Sequence, residues 1–179
     1  MWVIVSGCSG AGKSTLLEAL AARGETVVRE PGRRLIAAHR ASEGREGALP
    51  WVDLPKFLQA AIVMAQADLA AAPTDRRVFF DRGLIDAACG WDALTGADTA
   101  PALADAYPFH RRLFLAPPWP EIYRTDADRP HDLAAATAEY ERLRACYTRL
   151  GFEIVLLPKR PVAERVAFVL ATLAGREVQ

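Results

Sequence analysis

Three short clusters in this chain carry side chains able to do chemistry on a polyanion. The first is Gly7-Cys8-Ser9-Gly10-Ala11-Gly12-Lys13-Ser14-Thr15, set between the apolar run Trp2-Val3-Ile4-Val5 and the helical run Leu16-Leu17-Glu18-Ala19-Leu20. It fits G-x-x-x-x-G-K-[ST] in the strand-to-helix setting that pattern requires. Gly7, Gly10 and Gly12 let the backbone curl so that successive N–H groups point inward at phosphate oxygens. A helix starting near Lys13 turns its partial positive end on the same anion. Lys13 is placed to reach the outer phosphates and the Ser14 hydroxyl to complete a Mg²⁺ shell, with Thr15 in support behind. The stretch from Gly7 to Thr15, Cys8, Ser9 and Ala11 included, is expected to hold ATP with Mg²⁺. A dinucleotide fingerprint started from Gly10 and Gly12 fails at Thr15.

The second cluster is Glu30-Pro31-Gly32, and the third is Asp81-Arg82-Gly83 behind the apolar run Val78-Phe79-Phe80. Asp81 has the apolar run and acid expected of a residue that holds Mg²⁺ through water. Arg82 beside it suits a phosphate or substrate oxygen. Glu30 reads as a general base for a substrate hydroxyl, as a group that positions water or metal, or as a plain acid at a helix start.

These clusters need elements to bring them to one rim. Strands are expected at 2–5, 26–29, 78–80, 112–115 and 152–157. Helices are expected from Lys13 to Arg23, Arg33 to Ala41, Leu54 to about Ala72, Leu84 to Leu94, Thr99 to Tyr107, Leu133 to Leu150 and Val162 to Leu173. Asp53 can cap the third of these, with Pro55 tolerated in its first turn. Its apolar side is read as Phe57, Ala60, Ala61, Met64, Ala67 and Ala71. Ala116-Pro117-Pro118-Trp119-Pro120 is excluded from regular structure by its prolines. Alternating strands and helices predict one α/β domain over residues 1–179. It is a doubly wound five-stranded parallel sheet with helices on both faces, its ligand at the strands' C-terminal ends.

Bulk properties remove other classes. The chain has 179 residues, 51% of them hydrophobic and 25% charged, and its 22 basic and 22 acidic residues cancel. No global field recruits nucleic acid or an anionic membrane. No run of about 18 apolar residues predicts a membrane span, and a first strand at residue 2 predicts no signal or transit peptide. Cys8, Cys89 and Cys146 are odd in number and lack metal-type spacing, which points to a reducing cytoplasm. Cys8 reads as a small residue that fits the loop or as a thiol acidified by N–H dipoles, and bound ATP is expected to shield it from alkylation.

The phosphate loop, Arg29-Glu30-Pro31-Gly32 and Asp81-Arg82-Gly83 together resemble the small P-loop kinases. Thymidylate kinases have a similar Arg-Glu-Pro-Gly and an Asp-Arg element. Deoxynucleoside kinases have a Glu-Pro whose glutamate is the base, and a Glu-Arg-Ser that Asp81-Arg82-Gly83 resembles. The whole chain is most similar to the NadR-type group of P-loop domains, often labelled AAA-type ATPases, some of which phosphorylate nicotinamide riboside. The resemblance implies Glu30 as base, Asp81 as metal-linked acid and Arg82 on substrate or phosphate. It also implies a lid at about 117–132, whose Arg124 and Arg129 close over the transferring phosphoryl group, and an arginine near the adenine, here Arg160 in Pro158-Lys159-Arg160-Pro161. Arg33 stands where thymidylate kinases have a second glycine, which argues against thymidylate. Arg33 and Arg34 read as grips for an anionic substrate or as a solvated face. Of the aromatics, Trp119 is the one expected to stack on a base.

The expected activity is transfer of the γ-phosphoryl of Mg-ATP to a small nucleoside- or nucleotide-like acceptor. The alternative is an ATPase or nucleotide-dependent switch acting through a protein partner. No Asn-Lys-x-Asp occurs, which favours ATP over GTP. A homodimer through the helix from Pro55 to Ala72 is open, as is burial of that helix's apolar surface in the core.

Overall fold

The structure is a computed structural model that describes residues 1–42, 49–124 and 132–175. Five parallel strands, β1 (Trp2–Gly7), β2 (Thr26–Val28), β3 (Val78–Asp81), β4 (Arg112–Ala116) and β5 (Glu153–Leu156), lie in the order β2-β3-β1-β4-β5. The helices are α1 (Lys13–Ala21), α2 (Pro31–Ala41), α3 (Leu54–Ala71), α4 (Leu84–Thr95), α5 (Ala100–Ala106), α6 (Leu133–Arg149) and α7 (Val162–Leu173).

The order follows from burial. β1 and β3 are buried along their whole length, and β4 is buried from Leu113 on, because helices cover both faces of a parallel sheet. Val3, Val5, Phe79 and Phe114 are fully enclosed. β2 and β5 form the edges and are only half-buried or exposed. Pairing of Val5 with Asp81 and of Val5 with Phe114 aligns the C-terminal ends of β3, β1 and β4 on one rim.

Elements differ from expectation mainly at their ends. Helix α2 begins at Pro31 rather than Arg33, since proline at the first helical position loses no hydrogen bond. The proline segment ends in a 3-10 turn, Pro120–Ile122, where irregular chain was expected; the turn starts on proline for the same reason. Asp53 does cap α3, its carboxylate accepting from the Lys56 N–H at 3.1 Å. The buried stripe of α3 is Ala61, Ala65 and Leu69, one turn apart, while Ala67 and Ala71 are exposed. Asp68, half-buried beside that stripe, receives both contacts of the Arg34 guanidinium.

Cys89 of α4 and Cys146 of α6 form a disulfide, a pairing that the odd cysteine count did not suggest. The two helices pack against each other, so residues 57 positions apart in sequence meet inside the core. Cross-linking a loop of that length restricts the unfolded chain by about 4 kcal/mol in the chain-entropy account. Denatured without reductant, the protein is expected to show one titratable thiol, and after reduction three. Three thiols before reduction would remove the bond from the account.

Candidate active site

The phosphate loop forms where β1 stops against β4. Gly7 has φ +112, and a Cβ there would lie 2.3 Å from the Ala116 carbonyl oxygen, so only glycine allows the two strands this close. Gly12 caps α1 at φ +73, and a Cβ on it would meet an Arg165 guanidinium nitrogen at 2.8 Å. The loop therefore curls as its glycines predict, with Ser14 and Thr15 exposed at the helix start.

Lys13 is buried, and its ammonium folds back on the loop, donating to the Cys8 carbonyl at 2.7 Å and the Gly7 carbonyl at 3.2 Å. Burial and the nearby Arg82 bring its pKa down from 10.5 to about 8. Asp81, 7% exposed at the end of β3, has the opposite problem: burial and the neighbouring Glu30 carboxylate push it up from 3.8 to about 6. Its Oδ1 is enclosed with no hydrogen-bond partner among the described residues.

Arg82 is the hub. Its guanidinium donates to the Gly7 carbonyl and to Glu139 on α6, both at 2.9 Å, and lies 3.7 Å from Glu30. Burial alone would lower its pKa, but Glu30 and Glu139 outweigh burial and hold the charge on. In turn burial would raise Glu139, yet Arg82 and Arg142 bring its carboxyl down to about 2. Arg82 reaches this place with φ +57, a left-handed conformation that a non-glycine residue adopts at a cost of about 1–2 kcal/mol. Glu30, at the cap of α2, is held by Arg33 at 3.2 Å. Gly32 leaves room beside it, since a Cβ there would lie 3.1 Å from the Phe57 ring of α3.

A cavity of about 580 Å³ opens next to this cluster. Its walls come from α2, α3, α4 and α6. Its lining includes the polar residues Ser9, Glu30, Arg82 and Glu139 and the apolar residues Ile36, Phe57, Leu58 and Leu94. Its floor includes Asp86, whose carboxylate accepts from the Ser6 hydroxyl and, at 2.7 Å, from Tyr147. Burial raises the Asp86 pKa.

The sequence-predicted residues divide clearly. Lys13, Glu30, Asp81 and Arg82 come together. Arg124 sits beside the 3-10 turn, where it donates to the Tyr123 carbonyl. Arg129 lies outside the described residues. Arg160 is exposed and donates to Glu164 at 3.2 Å. Arg165 stacks over one face of Trp119 at 5.6 Å, and the same guanidinium donates to the Gly12 and Ala11 carbonyls. Cys8 is fully buried, its thiol on the Ser9 and Ala136 carbonyls, so the chain itself covers it and the alkylation contrast expected with ATP loses its basis.

Sequence reasoning missed Asp86, Glu139, Arg142 and Arg165. For Arg165 a signal existed: a basic residue inside the apolar stripe continued by Val166 and Val169. Among the described residues no group of three or more His, Cys, Asp and Glu converges as a metal cage. A cation at Asp81 and Ser14 would complete its shell from phosphate oxygens and water.

A central parallel sheet, a phosphate loop closing β1 and an acid closing β3 make this a P-loop kinase fold. A family model described as an AAA domain matches residues 2–165, and the chain belongs to that family. Solved structures share the fold at low identity. Deoxyadenosine kinase from M. mycoides with bound dATP is 15% identical over 97% of this chain and 100% of that chain, with a TM-score of 0.67. Thymidylate kinase from Ehrlichia chaffeensis is 17% identical over 97% and 98%, with a TM-score of 0.59. Shikimate kinase from Acinetobacter baumannii in complex with shikimate is 14% identical over 99% and 95%, also at 0.59. No curated protein matches the chain in sequence. The chain is thus a nucleotide-binding P-loop NTPase of kinase-like fold. Among the described residues no helix is long and apolar enough to cross a membrane.

Proposed function

We propose that this protein is a kinase that moves the γ-phosphoryl group of ATP to a small nucleoside- or nucleotide-like acceptor. The observation that carries the reading is the 580 Å³ cavity, because it touches the phosphate loop at Ser9 and has Glu30 and Arg82 in its wall. A chamber of that size beside a nucleotide site suits a second substrate, for which hydrolysis has no need.

In this reading Glu30 takes the proton of the acceptor hydroxyl while that oxygen attacks the γ-phosphorus. The bond to the β–γ bridging oxygen breaks and ADP leaves. Lys13 turns from the loop carbonyls to the outer phosphates, and Arg82 offsets charge on the transferring group. Asp81 and Ser14 fit Mg²⁺: Asp81 Oδ1 is an enclosed oxygen without a donor, and Ser14 offers a hydroxyl at the helix start. Bound there, Mg²⁺ would neutralise charge on the β- and γ-phosphate oxygens. Arg124 and Arg129 belong to a lid at about 117–132 that closes over the phosphoryl group and excludes water. Arg160 stacks on the adenine after leaving Glu164, an exposed pair that holds it weakly.

Glu30→Gln is expected to lower acceptor-dependent turnover about 100-fold with little change in the KM for ATP. Unchanged transfer would remove Glu30 as the base. The AAA-domain membership favours a second reading, an ATPase or switch that works on water and signals through a protein partner. Under the kinase proposal the partners are a small phosphoryl acceptor and, through α3 with its exposed Val63, a second copy of the chain. Nucleic acid and membrane are not partners in it. A cytoplasmic home is part of the proposal as well. The Cys89–Cys146 bond pulls against it, because such bonds are rare there.

A further inference from the structure

Arg142 is a charged group of the cavity wall that takes no part in the phosphoryl chemistry. Arg142 lies on α6, one turn beyond Glu139, and faces Gly90 of α4, where an added Cβ would come 3.9 Å from its Nη2. Nη2 donates to Glu139 at 2.9 Å, and the other oxygen of that carboxylate is taken by Arg82. Nη1 is enclosed with no hydrogen-bond partner among the described residues. A buried donor left without an acceptor is unfavourable, and folded proteins seldom keep one unless a ligand or water completes it.

The charges of the wall point the same way. Arg33, Arg82 and Arg142 face the cavity against the carboxylates of Glu30 and Glu139. Arg33 is held by Glu30, and Arg82 draws on both glutamates. Asp86, also in the wall, turns its carboxylate to the Ser6 and Tyr147 hydroxyls. Arg142 shares Glu139 with Arg82, and its Nη1 is the part left without an acceptor among the described residues. Gly90 has no side chain, and a Cβ there would come 3.0 Å from the Leu58 side chain.

We infer that the acceptor carries an anionic oxygen group, a carboxylate or a phosphate, and that Arg142 binds it. The inference rests on the kinase reading above and narrows its acceptor to hydroxyl-bearing acids and monophosphates. A guanidinium suits either anion, because its planar N–H edge matches two oxygens at once. Neutral nucleosides would leave that edge unpaired.

The test uses matched pairs that differ only in the anion: deoxycytidine and dCMP, thymidine and dTMP, and shikimate and its methyl ester. Binding to the full chain with Mg²⁺ and a non-hydrolysable ATP analogue is measured by calorimetry for wild type, Arg142→Gln and Arg142→Lys. In at least one pair the anionic member should bind wild type about tenfold or more tightly, as one charge-assisted hydrogen bond supplies. Arg142→Gln should cut that preference to about threefold or less, leaving affinity for the ATP analogue unchanged, and Arg142→Lys should restore part of it. The dCMP and dTMP arms report a phosphate and the shikimate arm a carboxylate. Equal affinity within every pair, no binding by any pair, or a preference that survives in Arg142→Gln would overturn the inference. Tight anion-dependent binding without phosphoryl transfer from ATP would sink the kinase reading alone and leave the anion site standing.

Discussion

Asp81→Asn is expected to make the empty protein more stable and to remove nearly all of the proposed turnover. The aspartate is buried at the end of β3 with an oxygen that no group among the described residues satisfies, and its pKa stands at about 6 instead of 3.8. Below pH 3.8 the carboxyl is protonated in folded and unfolded chains alike, so it costs nothing. Between pH 3.8 and 6 the unfolded chain gives up the proton while the folded one keeps it, and stability falls as pH rises. Above pH 6 the full penalty is present, roughly 3 kcal/mol for an interval of that width. Asparagine has the same shape and no charge, so at pH 8 the variant should melt several degrees higher, on the order of 5–10 °C for a chain of this size. At pH 4 the two should melt together. Turnover should fall about 100-fold or more, because the carboxylate assigned to Mg²⁺ is gone. A variant that melts no higher at pH 8 would show that Asp81 is not strained; one that keeps full turnover would take it out of the site.

Loss of the Arg82 side chain should do the most structural damage. Its guanidinium joins β3 to α2 through Glu30, to α6 through Glu139 and to the phosphate loop through the Gly7 carbonyl. Arg82→Ala removes the cation that Glu30 and Glu139 share and leaves each with one arginine, Arg33 and Arg142. Losing the charge-assisted hydrogen bonds of this partly exposed network costs about 1–3 kcal/mol, a loss readable by urea unfolding. Arg82→Gly deletes the same contacts but tolerates φ +57, and should recover about 1 kcal/mol relative to alanine. If the two variants unfold alike, the left-handed backbone at this position stores no cost. Wild-type stability in both would mean that the Arg82 network holds nothing together.

Local signals made the centre of this site legible. Three glycines and a lysine between a strand and a helix dictate a phosphate loop almost without help from the rest of the chain. Apolar runs ending in Glu30 and Asp81-Arg82 place those side chains at the strand ends, and a parallel sheet brings the strand ends together. What sequence did not reveal is the work of packing between distant helices. Glu139 and Arg142 look like an ordinary helical ion pair until α6 lies against Arg82. Arg165 is one basic residue in an apolar helix until α7 carries it under the loop carbonyls. Trp119 was expected at a base because proline isolates it locally; the ring's actual neighbour is that same Arg165, 46 positions further along by residue number. Cys89 and Cys146 meet for a related reason, since no spacing rule links a residue of α4 to one of α6.

The central claim is transfer to an acceptor, and the most direct measurement follows the phosphoryl group itself. Protein is incubated with Mg²⁺ and γ-labelled ATP, alone and with nucleosides, nucleotides and nicotinamide riboside in turn, and the label is located by chromatography and mass. The account predicts slow release of labelled phosphate without acceptor and rapid appearance of a labelled acceptor with one member of the panel. Label found only in inorganic phosphate, at a rate indifferent to every acceptor, would contradict it and assign the site to hydrolysis.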